Sequence, residues 1–178
     1  MLEVLILAFA LSMDAFAVAI GIGIKNRSNL KIIALKVAIF FGFFQALMPF
    51  IGYLGNIGLK DYILNYDKII AFILLLLIGL KMIYEAFKNE EEKNFNLTNR
   101  VLFTLAIATS LDAMAAGYSL HLFNINIYLS LFIIGFTTFI ISYLGVYIGS
   151  RGGEKYEKKA EILGGVILIL IGFKILLF

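Results

Sequence analysis

The sequence predicts an all-α integral membrane protein with six transmembrane helices, arranged as two inverted three-helix repeats. Three observations predict it. Of 178 residues, 62% are hydrophobic and the mean hydropathy is +0.98, far above the roughly 45–50% apolar content of soluble domains. Six long apolar runs follow one another along the chain. Two segments within them nearly repeat, Ala10-Leu11-Ser12-Met13-Asp14-Ala15-Phe16-Ala17 and Ala108-Thr109-Ser110-Leu111-Asp112-Ala113-Met114-Ala115. A chain this apolar and this short cannot hide its surface from water in a soluble core.

The expectation is a single transmembrane domain over 1–178. It divides into a first three-helix repeat at 1–88, a cytoplasmic linker at 89–99 and a second repeat at 100–178. The length leaves no room for a soluble catalytic module. Cysteine is absent, which excludes disulfides and thiolate metal sites. The basic residues are scattered between apolar runs and form no nucleic-acid patch.

The first span is placed at Val4–Ile24. Ala15-Phe16-Ala17 mimics a cleavage site, but a basic leading region is missing and Asp14 interrupts the apolar stretch, so the run reads as a span and not a signal peptide. The second, Ile32–Leu54, carries Gln45 and Pro49; the third, Ile69–Phe87, carries Lys81. Val101–Leu122 and Ile125–Gly149 follow, and Ile162–Phe178, with 17 residues, is the shortest. Loops after spans one, three and five hold ten basic residues, against Lys60 and Lys68 on the other side. The bias puts the basic side in the cytoplasm and both termini outside, in the cell (plasma) membrane.

The halves correspond beyond the aspartates. Asp14 maps to Asp112 by a shift of 98 (112 − 14). Further on the shift is 93: Gly42 to Gly135, Gly52 to Gly145, Gly79 to Gly172 and Lys81 to Lys174. Three spans per repeat make the halves enter the membrane from opposite sides, an architecture that places a transport site near the midplane. Asp14 and Asp112 each lie roughly 16 Å into their predicted helices, and a carboxylate there costs about 2.5–3.5 kcal/mol on insertion scales.

Two such carboxylates need a cation, a proton or a basic partner. Lys36, Lys81 and Lys174 read as snorkelling to their interfaces, and no span contains arginine. A proton or a metal ion is therefore expected. Ser12, Thr109 and Ser110 supply hydroxyls beside the acids, and Gln45 an amide oxygen; Pro49 removes the N–H that would bond the Gln45 carbonyl. The 93-residue shift sets Thr138 and Ser142 at the places of Gln45 and Pro49. Gln45 alone reads equally as a helix–helix hydrogen bond, and Glu161, expected at the start of helix six, as a favourable first-turn acid or a cytoplasmic-side ligand. The oxygen-rich set suits Mn²⁺ or Mg²⁺ better than zinc or copper.

With these residues in view, the chain resembles the MntP-type manganese efflux pump family over nearly its full length. The motifs that carry the likeness are Met13-Asp14-Ala15-Phe16-Ala17, the Ala108–Ala115 segment and Lys158-Lys159-Ala160-Glu161-Ile162-Leu163-Gly164-Gly165. The resemblance implies six spans, Mn²⁺ export from the cytoplasm, Asp14 and Asp112 as essential site carboxylates, and added weight for Glu161. Some members carry Glu where this chain has Gln45, so a third carboxylate is lost here.

The expected metal set is Asp14, Asp112, Gln45, Ser110, Thr138 and Glu161, with manganese as cargo and no cofactor. Exporting a divalent cation against about 100 mV costs roughly 4.6 kcal/mol of electrical work, and no phosphate-binding loop is present to supply ATP. Proton antiport is the expected coupling, with protons and the lipid bilayer as the other partners; a homo-oligomer is compatible with the chain. Alternatives are a carrier of another divalent cation, a structural or sporulation-associated membrane protein of the same family, and an intramembrane aspartyl protease. The last lacks the expected Gly-x-Gly before Asp112, which follows Thr109-Ser110-Leu111; the expectation is that the chain is no enzyme.

Overall fold

Each apolar run folds into one helix: α1 (Leu2–Lys25), α2 (Leu30–Ile63), α3 (Asp67–Phe87), α4 (Asn99–Gly117), α5 (Ile127–Ser150) and α6 (Glu154–Leu177). This computed structural model describes the backbone of residues 1–26, 29–63, 67–87, 97–120, 125–151 and 154–177. Within the helices, the side chains of residues 25, 56–63, 67, 85, 154–157 and 161 lie outside that description. So do residues 89–96 of the expected linker and His121.

Helix ends follow local chemistry. The Thr98 hydroxyl accepts from the Val101 N–H at 3.3 Å to cap α4, and Asn126 Oδ1 accepts from the Tyr128 N–H at 2.9 Å to cap α5. Such side chains satisfy donors that a helix start leaves unpaired. Asn29, just before α2, has φ 52°, a left-handed conformation that asparagine tolerates.

Three boundaries differ from the expectation. α4 ends at Gly117 and a turn follows, short of Leu122. α2 continues past Leu54 to Ile63. α6 begins at Glu154, eight residues before Ile162, because Glu154–Lys159 is rich in strong helix formers although polar. Glu161 therefore lies two turns inside α6, and the first-turn reading of that residue is corrected.

Among the described residues, five helices are long and apolar enough to cross a membrane: Leu2–Ile24, Leu30–Gly55, Asn99–Gly117, Ile127–Ser150 and Lys158–Leu177. α3 is a further helix of 21 residues. Large apolar side chains such as Phe43, Leu77, Phe132 and Leu170 face outward, a surface suited to lipid and costly in water.

α1 packs along α5 and α6, α2 along α5 and α4, and α3 along α6; α1–α4, α1–α2 and α3–α4 touch only briefly. Glycines permit these approaches. A Cβ on Gly149 would lie 2.1 Å from the Ile20 carbonyl oxygen, and one on Gly117 would lie 2.2 Å from that of Pro49. Gly42 and Gly135 face each other, each with its missing Cβ 2.9 Å from the other's carbonyl oxygen. Without a hydrophobic drive between helices in lipid, such close backbone contact is a main source of association.

Candidate functional site

The apolar interior falls into two clusters, and polar residues mark the seam between them on three helices. On α1 one cluster runs to Met13 and the other starts at Ala15, so Asp14 sits between. On α4, Leu102 and Ala106 belong to one cluster and Ala113 and Ala116 to the other, with Thr109, Ser110 and Asp112 in the gap. On α5, Ile134 and Val146 bracket Thr138 and Ser142. On α2, Gln45 lies within one cluster, between Phe44 and the partly buried Leu47 and Met48.

These polar groups are deeply enclosed. Gln45 is 1% exposed and Ser110, Thr138 and Ser142 are 0% exposed. The hydroxyls on α1 and α4 are tied to their own helices. Ser12 Oγ donates to the Phe9 carbonyl at 2.7 Å, Ser110 Oγ to that of Ile107 at 3.0 Å, and Thr109 Oγ1 to that of Leu105 at 3.0 Å. A hydroxyl that donates in this way keeps oxygen lone pairs for another partner. Gln45 Nε2 donates across to α1, to the Leu11 carbonyl at 3.2 Å, three residues before Asp14. The helix–helix hydrogen bond expected of Gln45 is thus present, and it uses only the nitrogen.

Among the described residues, three buried oxygens have no hydrogen-bond partner: Gln45 Oε1, Thr138 Oγ1 and Ser142 Oγ. Each such group costs about 1–3 kcal/mol when left unsatisfied, so three together on the facing helices α2 and α5 call for a cause. A cation or an ordered water would satisfy them.

The two aspartates are half-buried on α1 and α4. One expectation is corrected here. Lys81 does not merely snorkel: its Nζ donates to both carboxylate oxygens of Asp112, at 3.1 Å each. Lys174 likewise pairs with Glu3, near the C-terminal end of α6 and the N-terminal end of α1. Sequence reasoning missed both pairs because it gauges depth along one helix and not the approach of a neighbour. Among the described residues no three His, Cys, Asp or Glu side chains converge as a metal cluster. From the described residues, a cation held here would draw on two carboxylates and on neutral oxygens. Gln45, Ser110, Thr138 and Ser142 are all buried, whereas the Glu161 side chain lies outside the described residues.

Comparison with known proteins agrees in kind. Residues 27–176 match the Mntp family model, described as "Putative manganese efflux pump". The chain is 79% identical to a protein of Aliarcobacter butzleri named "Putative manganese efflux pump MntP", covering all of both chains. It is 52% identical to "Putative manganese efflux pump MntP 1" of Wolinella succinogenes, covering 99% of this chain and 97% of that one. A protein of Saccharophagus degradans with the same name as the first is 49% identical over 99% of this chain and 98% of its own. No solved structure matches.

Proposed function

Because the chain belongs to the Mntp family of manganese efflux pumps, we propose that it exports Mn²⁺ from the cytoplasm by proton antiport, through a midplane site that includes Asp14 and Asp112. The observation that carries this reading is the polar seam between the two apolar clusters on α1, α4 and α5, together with buried oxygens of Gln45, Thr138 and Ser142 that have no hydrogen-bond partner among the described residues. Mn²⁺ prefers oxygen donors, and carboxylates with neutral oxygens form such a set. Gln45 Oε1, Ser110 Oγ and Thr138 Oγ1 complete the proposed shell, and Glu161 stands at its cytoplasmic side.

The proposed architecture is six spans in two inverted repeats, with both termini outside the plasma membrane. Packing supports it. A Cβ on Gly145 would meet Phe16 and one on Gly52 would meet Met114; the two contacts are related by the same shifts, 145 − 52 = 93 and 114 − 16 = 98. Gly79 meets Gly165 and Gly172 meets Phe72, again related by 93 (172 − 79 and 165 − 72). The helix pairs α1–α5 and α4–α2 also correspond. Ten basic residues on the proposed cytoplasmic side support the orientation.

A transporter fits the acids better than a protease. A protease dyad shares one proton between adjacent carboxyls, whereas Asp112 here is held by an ammonium group.

Everted membrane vesicles test the proposal. Mn²⁺ added outside should accumulate and release protons from the lumen, and Asp14→Asn and Asp112→Asn should each abolish uptake. Uptake without opposing proton movement would overturn antiport, and full uptake in either variant would overturn the site.

A further inference from the structure

Lys81 and Asp112 form an ion pair across an interface that is otherwise sparse. α3 is anchored on α6, where Gly79 lies against Gly165 and a Cβ on Gly164 would meet Met82; it touches α4 only briefly. The ammonium group reaches over that gap and donates to both oxygens of Asp112. The pair is lopsided in exposure: the Lys81 side chain is 45% exposed and that of Asp112 is 13% exposed. Lys81 also lies six residues before the end of α3 at Phe87, about 9 Å along the axis. A flexible lysine stem there can turn toward the interface with its ammonium still solvated. The carboxylate has no comparable exit.

We propose that Lys81 is the resident counter-cation of Asp112, holding the carboxylate while no metal ion is bound and giving it up when the ion arrives. The inference rests on the proposed metal site and adds a positioning residue to it. A carboxylate stripped of any cation within the bilayer is expensive; in the metal-free return step of the proposed antiport, protons relieve Asp14 and Lys81 relieves Asp112. The loaded carrier brings its own positive charge and does not need the lysine. Lys81 therefore favours net transport, which requires the metal-free return, over exchange of one Mn²⁺ for another, which does not.

The chain contains no cysteine, so Lys81→Cys gives a single thiol for chemistry on the inserted protein. The measurement is net Mn²⁺ flux and radioactive Mn²⁺ exchange in reconstituted vesicles. Lys81→Cys should lower the ratio of net flux to exchange by about tenfold, as loss of a charge partner in the bilayer predicts. A methanethiosulfonate that attaches an aminoethyl group rebuilds a lysine-like cation and should restore the ratio. The methyl reagent, which adds no charge, should not. An unchanged ratio in Lys81→Cys, or equal recovery with both reagents, overturns the proposal. If Lys81→Cys does not insert, Lys81→Arg should keep the ratio and Lys81→Gln lose it, and loss in both overturns the proposal. A wild-type protein with neither flux would instead overturn the transport reading on which it rests.

Discussion

Thr138 is the single residue on which packing and ion binding make the most sharply different demands. Its hydroxyl is fully buried and has no hydrogen-bond partner among the described residues. Valine has nearly the same shape and lacks the oxygen. Were the hydroxyl only a packing element, Thr138→Val would relieve an unsatisfied group and stabilise the protein by about 1 kcal/mol, with transport unchanged. If the oxygen binds the ion, stability should still rise while half-saturating Mn²⁺ increases roughly tenfold, the size of effect seen when a group supporting a metal site is lost. Thermal melting in detergent and concentration-dependent uptake read the two effects separately. Unchanged uptake would remove Thr138 from the ligand set.

The place of Thr138 is legible in the sequence, since the 93-residue shift pairs it with Gln45. The Lys81–Asp112 pair is not. A linear pattern reports that Lys81 is six residues from a helix end and Asp112 inside a span, but their meeting depends on how α3 and α4 lie side by side. Long flexible side chains widen that uncertainty further, because Lys81 can serve a water interface or a carboxylate from the same backbone position.

Elements are governed here by how closely backbones approach. Gly149 on α5 faces Ile20 on α1, where an added Cβ would lie 2.1 Å from a carbonyl oxygen. Gly149→Ala must push the helices apart, and a loss of about 1–3 kcal/mol is expected from overpacking. Gly55 on α2 has nothing among the described residues within 4 Å of its missing Cβ. Gly55→Ala should gain about 0.5–1 kcal/mol from lower backbone entropy in the unfolded state and better helix propensity. Melting temperatures in detergent should thus move in opposite directions for two formally identical substitutions; a fall in both would mean that α2 meets a partner at Gly55.

Each of the six helices overlaps an apolar run of the sequence. Their ends are less readable. Apolarity marks where a chain meets lipid, whereas a helix continues as long as its residues tolerate helical geometry. The Glu- and Lys-rich start of α6 and the continuation of α2 to Ile63 both extend helices beyond the apolar signal.

For the whole molecule, one disparity of length carries a physical consequence. The apolar part of α2, Leu30–Gly55, has 26 residues, about 39 Å along its axis, while α4 has 19 residues, about 28 Å. A hydrocarbon layer of about 30 Å fits the second and leaves the first to tilt or to thicken the lipid around it. The protein is in this sense a gauge of bilayer thickness, and its rim imposes an uneven depth on the surrounding acyl chains. Any cycle that alters the tilt of α2 must therefore do work on the lipid. In vesicles of short, medium and long monounsaturated phosphatidylcholines, Mn²⁺ flux should peak at medium chain length and fall on both sides. A flat profile would mean that α2 keeps one inclination throughout its working cycle.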